Sequence, residues 1–180
     1  MATKYGQPTD IKLISKVKGE TIEELRSWCY SRIPDMTSDF SRYAKGRYRL
    51  WLFHEIDLRN GKVSRGYFEE RIWQFCQRVY PGCNVGLLTF GGKTPDVTST
   101  GLISPHRDHS YASSIARSVN LGSCVFGYGD DYHQQYQLSD GDIIEFNCKV
   151  LHSVQKILSP ERFSINLWQL NENKGYFPVR

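Results

Sequence analysis

The chain has 180 residues, of which 39% are hydrophobic and 23% charged, and its formal net charge is +4. A chain of this length buries about 70% of the surface that its unfolded form exposes, so it forms a core without a disulfide or a structural metal. No apolar run approaches the roughly 18 residues of a membrane-spanning helix. These properties exclude a transmembrane helix and predict one domain over residues 1–180.

Cysteine usage indicates a reduced protein. The five cysteines form no C-x-x-C pair, and their odd number does not suit a closed set of disulfides. The first residues lack the apolar stretch of a secretory signal. We therefore expect a cytoplasmic protein with free thiols.

Basic residues are concentrated in the first part of the chain. Residues 1–80 contain 15 Lys and Arg against 10 Asp and Glu, whereas residues 81–180 contain 8 against 9. Four cations alternate with tyrosines in one segment: Arg42, Lys45, Arg47 and Arg49. Such a segment suits nucleic acid, because cations pair with phosphates and aromatic rings stack on bases. The alternative is a loop whose cations lie over the fold surface.

Residues 1–82 are predicted to form a helical and basic support. Residues 1–20 are interpreted as a weakly structured lead-in. Thr21 and Glu24 then form a capping-box pattern at the start of a helix that Pro34 ends. Residues 50–58 resemble a strand followed by a turn at 59–62. Apolar residues at helical spacing predict a second helix over residues 65–80.

Residues 83–170 are predicted to be mainly β. Short apolar stretches alternate with turn residues, which is typical of a sandwich or jelly roll. Eight strands are predicted over 84–90, 103–106, 115–121, 124–128, 136–138, 142–147, 150–154 and 163–170. Residues 91–102 are expected to form a long polar loop, and residues 171–180 a tail. The predicted fold is mainly β with N-terminal helices, a double-stranded β-helix (jelly roll) covered by two helices.

Two histidines and one aspartate form a candidate metal site. His106 and Asp108 are two residues apart, so on a strand both side chains point to one side. His152, on a later predicted strand, supplies the third ligand. Two imidazoles and a carboxylate with open coordination positions are typical of non-haem Fe(II) oxygenases. The alternative for any one histidine is a hydrogen-bonded core residue.

The last predicted strand has a polar and an apolar face. Arg162, Ser164, Asn166 and Trp168 alternate with Phe163, Ile165 and Leu167. If the arginine faces inward, the apolar side chains form an outer face that must be covered. The two predicted helices are the available cover.

The order of H-x-D, a distant His and then R-x-S resembles the Fe(II)/2-oxoglutarate-dependent oxygenases over roughly residues 83–170. The resemblance implies that His106, Asp108 and His152 hold Fe(II), while Arg162 and Ser164 bind the distal carboxylate of 2-oxoglutarate. It implies a dioxygenase that uses O2, releases succinate and CO2, and hydroxylates a substrate through a ferryl intermediate. A guanidinium matches a carboxylate with two parallel hydrogen bonds.

Ser118 and Asn120 share a face of the strand that follows the H-x-D motif. Asn120 is predicted to contact the cosubstrate. The alternative is that the two side chains satisfy each other.

The substrate class stays open between several alternatives. Weaker similarity to AlkB-type and TET-type members suggests an oxidative demethylase or base hydroxylase that acts on nucleic acid. Trp168, however, stands where AlkB-type enzymes carry a second arginine. Leu88 and Phe90 stand where those enzymes carry polar residues near the cosubstrate. A small-molecule or nucleotide-type substrate is the other expectation. A non-catalytic jelly-roll binding protein is a different class, but such a module does not need Arg162 and Ser164 beside a metal.

Overall fold

The computed structural model describes residues 10–171, which contain two α-helices and fourteen strands. The helices are α1 (Glu20–Arg32) and α2 (Glu70–Val79). The strands are β1 (Lys12–Lys16), β2 (Thr37–Ser38), β3 (Tyr48–Leu52), β4 (His54–Asp57), β5 (Lys62–Arg65), β6 (Val85–Lys93), β7 (Thr98–Thr100), β8 (Ile103–His106), β9 (Ile115–Leu121), β10 (Cys124–Tyr128), β11 (Gln134–Leu138), β12 (Asp142–Asn147), β13 (His152–Ile157) and β14 (Arg162–Trp168). The mainly β class with two helices is confirmed.

Most strands belong to two sheets. The large sheet has the order β1-β12-β9-β14-β6-β3-β2, and β7 pairs with β6 at one end. The small sheet has the order β11-β10-β13-β8, while β4 and β5 form a separate hairpin. Strands from before and after residue 82 therefore share the large sheet.

Two apolar clusters divide the molecule into layers. One cluster joins the helices to the outer face of the large sheet, with Leu25 and Ile72 packed near Ile165 and Leu167. The other joins the inner face of the large sheet to the small sheet, with Leu87 and Trp168 in the same cluster as Phe126 and Val154 of the small sheet. The alternation predicted for β14 is confirmed, because its apolar face packs against the helices.

Both helix starts differ from the prediction. Gly19, with φ 63°, is the N-cap of α1, and no side chain caps this end. The predicted capping box is therefore wrong, because Thr21 already lies inside the first turn. The second helix begins at Glu70, later than predicted, because residues 62–65 pair with β4 as strand β5.

Three further segments are corrected. Residues 12–16 of the expected lead-in form β1, which pairs with β12. The single strand predicted over 50–58 is divided into β3 and β4 at Phe53, whose φ is 70°. The loop predicted over 91–102 is largely a hairpin of β6 and β7. The predicted tail lies, from residue 172 onward, outside the described residues.

Neither helix in residues 10–171 is long and apolar enough to cross a membrane.

Candidate functional site

The three predicted metal ligands converge at one point. The Nε2 atoms of His106 and His152 lie 3.3 Å and 3.2 Å from Oδ1 of Asp108. One donor atom from each residue falls within 4.8 Å of the others, and together they form a group that can hold a metal ion. His152 is buried, and the other two side chains are nearly so.

The small sheet positions the two histidines. His106 at the end of β8 is directly opposite His152 at the start of β13. Asp108 lies two residues beyond the end of β8, so the expectation that it shares a strand with His106 is wrong. Its backbone N–H donates instead to the carbonyl of Cys148 at 2.8 Å, which brings the carboxylate to the imidazoles.

Backbone carbonyls orient both imidazoles towards a metal. Nδ1 of His106 lies 2.9 Å from the carbonyl of Ser104, and Nδ1 of His152 lies 2.8 Å from that of Val150. A carbonyl only accepts, so each Nδ1 carries the proton in these bonds. Nε2 of each ring is then the nitrogen that can bind a metal once it is deprotonated.

Asp108 and His152 shift each other's pKa in this cluster. Burial opposes the charge on Asp108, but the imidazoles of His152 and His106 hold the pKa of this carboxyl well below its usual range. Burial also opposes protonation of His152, yet the Asp108 carboxylate raises the pKa of this imidazole. A buried cluster that gathers this much charge is typical of a functional site.

Two aromatic contacts to the cluster were not foreseen. The Trp168 indole donates to Oδ2 of Asp108 at 2.9 Å, which leaves Oδ1 towards the histidines. The Tyr43 ring stacks on His106 with centroids 5.7 Å apart. Strand alternation already placed Trp168 on the inner face, and that signal was sufficient to suggest a role near the site.

Arg162 and Asn120 are brought together on the inner face of the large sheet. Both are buried, and Nε of Arg162 donates to Oδ1 of Asn120 at 2.7 Å. The Asn120 amide group donates to the carbonyls of Gly122 and Ser139. Asn120 thus orients the guanidinium, whereas its direct contact with a cosubstrate stays a prediction.

Ser164 belongs to a separate hydrogen-bonded row. Its hydroxyl pairs with that of Thr89 and accepts from the Asn166 amide at 3.1 Å. Ser118 donates to Asn166, so the alternative in which Ser118 and Asn120 satisfy each other is wrong. The row fixes polar groups along the same face as Arg162.

His109 is half-buried beside the cluster, and both of its ring nitrogens are shielded from solvent. Neither ring nitrogen has a hydrogen-bond partner among the described residues, and burial lowers the pKa of this imidazole to about 4. The ring is therefore neutral near pH 7. It stacks on Tyr111 and meets Trp168 edge-on, so it forms part of the aromatic surroundings of Asp108.

The four cations predicted as a nucleic-acid contact do not form one surface. Arg42 and Lys45 are exposed, but Arg47 is buried and paired with Asp39, and Arg49 is half-buried. The expectation that Arg47 contacts a partner at the surface is corrected by this burial. Arg107 lies between the two ligands in sequence but is exposed and pairs with Asp130 at 2.9 Å.

Solved oxygenase structures share this fold. A prolyl hydroxylase from Trichoplax adhaerens, in complex with a hypoxia inducible factor peptide, aligns with TM-score 0.63 and 12% identity over 91% of this chain and 84% of that one. A 2OG-Fe(II) oxygenase family oxidoreductase from Burkholderia pseudomallei aligns with TM-score 0.57 and 9% identity over 84% and 78%. HygX from Streptomyces hygroscopicus, with nickel and 2-oxoglutarate bound, aligns with TM-score 0.53 and 12% identity over 92% and 84%.

No protein-family model and no curated protein sequence matches the chain. The solved structures nevertheless show that this chain shares the fold of the Fe(II)/2-oxoglutarate-dependent oxygenases at low sequence identity. The resemblance is thus confirmed at the level of the fold.

Proposed function

We propose that this chain is an Fe(II)- and 2-oxoglutarate-dependent dioxygenase, in which the two facing sheets form the double-stranded β-helix. One observation carries the proposal. A His–Asp–His cluster and a buried arginine occupy the inner side of a fold that such oxygenases share. Iron and 2-oxoglutarate, when bound, supply oxygen activation and substrate hydroxylation with release of succinate and CO2.

His106, Asp108 and His152 would hold the iron. Imidazole nitrogen and carboxylate oxygen suit Fe(II), and no cysteine is part of the cluster, which argues against a structural zinc site. The backbone contacts of both histidines and the Trp168 bond to Asp108 hold the three donors before a metal binds. Preorganised ligands of this kind are a requirement of metal sites.

Arg162 would bind the distal carboxylate of 2-oxoglutarate, supported by Ser164. Its guanidinium is buried, and burial lowers its pKa, so the group gains from an anionic partner. Because Asn120 accepts from Nε, a carboxylate would accept its hydrogen bonds from the Nη groups. Thr89 and Asn166 orient the Ser164 hydroxyl beside it.

Aromatic side chains would exclude water from the reacting centre. Phe146 lies 4.9 Å from the His152 ring and Phe126 lies 6.2 Å from it, measured between centroids. Tyr43 covers His106 on the other side. A dry site strengthens the electrostatic contacts that position the cosubstrate.

The first test is turnover of 2-oxoglutarate. Purified protein with Fe(II) and air should release succinate, and His152→Ala should abolish both release and Fe(II) binding. His133→Ala is the matched control, because this histidine contacts Gly129 and Ser153 rather than Asp108. Full turnover in His152→Ala would contradict the assignment of the ligands.

A further inference from the structure

Arg49 on β3 faces the same side of the large sheet as the proposed cosubstrate site. It is directly opposite Thr89 of β6, and Thr89 is directly opposite Ser164 of β14. Opposed residues of antiparallel strands share a face. The neighbours Tyr48 and Leu50 pack in the cluster that contains the helices, which places Arg49 on the inner face.

Two arginines near this face already have their partners. Nε and Nη2 of Arg47 donate to Oδ2 of Asp39 at 3.1 Å and 2.6 Å, in a pair that is buried on both sides. Arg162 is assigned to 2-oxoglutarate. Burial lowers the pKa of Arg162, and the Arg47 guanidinium lowers it further, so the two cations lie within electrostatic reach of each other.

Arg49 lacks an anionic partner within residues 10–171. Its guanidinium donates to the Thr37 hydroxyl at 3.2 Å and lies 6.0 Å from the centroid of the Trp51 ring. The side chain is half-buried and thus reachable by a ligand. A cation without an anionic partner attracts anions.

A row of neighbouring aromatic rings connects Arg49 to the candidate metal ligands. The Trp51 ring is 6.3 Å from Trp168 and 6.5 Å from His109 between centroids. Trp168 in turn donates to Asp108. Trp51 and Trp168 are both buried, so these rings form a packed connection between the cation at one end and the proposed iron ligands at the other.

We propose that Arg49 binds a carboxylate or phosphate group of the primary substrate, on the face of the large sheet that lies next to the proposed iron ligands. This inference rests on the proposed function, since it places the substrate beside the iron ligands. It predicts an acidic substrate, which is a narrower class than small molecules in general.

The test uses matched ligand pairs that differ only in charge. The protein is loaded with Zn(II) and 2-oxoglutarate, and saturation-transfer NMR measures the dissociation constants of phenylacetate against phenylacetamide and of phenyl phosphate against phenol. At least one anion should bind about tenfold more tightly than its neutral counterpart, because its contact with a guanidinium is charge-assisted. Arg49→Gln should remove this preference, and Arg49→Lys should keep part of it.

Arg71→Gln is the control, because Arg71 is an exposed arginine on α2 that pairs with Glu24. It should keep the full preference for anions. Equal binding of anions and neutral counterparts, or a preference that survives in Arg49→Gln, would overturn the inference. Anaerobic Fe(II) absorbance with 2-oxoglutarate separates the two failures. If wild-type protein forms the charge-transfer band without any anion preference, only the substrate inference fails, whereas absence of the band defeats the proposed function itself.

Discussion

The Trp168 indole fixes the carboxylate of the candidate metal centre through one hydrogen bond. With Oδ2 of Asp108 accepting from the indole, Oδ1 lies towards both histidines. The contact joins β14 of the large sheet to the segment after β8 of the small sheet. Neighbours that orient a ligand commonly affect metal affinity almost as much as the ligands do.

Trp168→Phe should weaken Fe(II) binding by about 10–100-fold, because it removes the donor to Asp108 and keeps most of the aromatic volume. Calorimetric titration under anaerobic conditions measures this change. Trp28→Phe is the matched control, since the Trp28 indole donates to a carboxylate of Glu69 at 2.8 Å, away from the site. Equal Fe(II) affinity in wild type and Trp168→Phe would refute the orienting role.

The alternation of β14 links the site to the core. Arg162 and Ser164 face the inner side, whereas Ile165 and Leu167, both fully buried, pack in the cluster that contains the helices. The same strand therefore presents the proposed cosubstrate-binding groups and anchors the helical layer. A loss of packing on one face is expected to appear first as lost stability.

Ile165→Ala should lower the free energy of unfolding by about 2–5 kcal/mol, because it leaves a cavity between the large sheet and the helices. Urea denaturation measures the loss. Leu158→Ala serves as the comparison, since Leu158 is 41% exposed, and a surface change of this kind costs about 0.5 kcal/mol or less. Similar losses in the two variants would contradict the layered core.

Asp140 connects α1 to the turn after β9. Its Oδ2 accepts from Arg26 at 2.7 Å, and its Oδ1 accepts from the backbone of Gly122 at 2.8 Å. Burial acts to raise the pKa of Asp140, but the Arg26 and Gly122 contacts outweigh it and lower the pKa below the usual value. The folded state therefore favours the charged carboxylate.

Asp140→Asn should cost about 1 kcal/mol at pH 7, because the carboxylate loses charge-assisted contacts at a partly exposed position. A lowered folded pKa stabilises the protein above the unfolded value of about 4, and this stability is lost as the pH falls through the folded pKa. The stability difference between wild type and Asp140→Asn should thus shrink on acidification. A difference that is independent of pH in urea titrations from pH 7 to 3 would contradict this account.

Local patterns in the sequence predicted most strands of the site but not their junctions. Alternation and turn residues predicted the bounds of β8, β9, β12 and β14 closely, because the pattern within each strand shows which of its faces is buried. The break at Phe53 and the pairing of β7 with β6 depend on partners elsewhere in the chain. For the same reason the pattern showed that Asp108 belongs with His106 but not that Cys148 and Trp168 hold it.

At the scale of the whole molecule, the helices, the large sheet and the small sheet form three layers, and the candidate site lies between the two sheets. The helices cover the outer face of the large sheet, and the small sheet supplies both histidines. Arg162, Ser164 and Arg49 project from the large sheet towards the same interior. The proposed iron and cosubstrate sites are therefore built from opposite sheets, although their residues, from His106 to Ser164, all lie in the second half of the chain.

The central claim is that this interior binds Fe(II) and 2-oxoglutarate together. Anaerobic addition of Fe(II) and 2-oxoglutarate should produce the metal-to-ligand charge-transfer band of a chelated keto acid, which neither addition produces alone. The band should be absent in His152→Ala and should require more 2-oxoglutarate in Arg162→Gln. Folded wild-type protein that gives no band at saturating Fe(II) and 2-oxoglutarate would contradict the account.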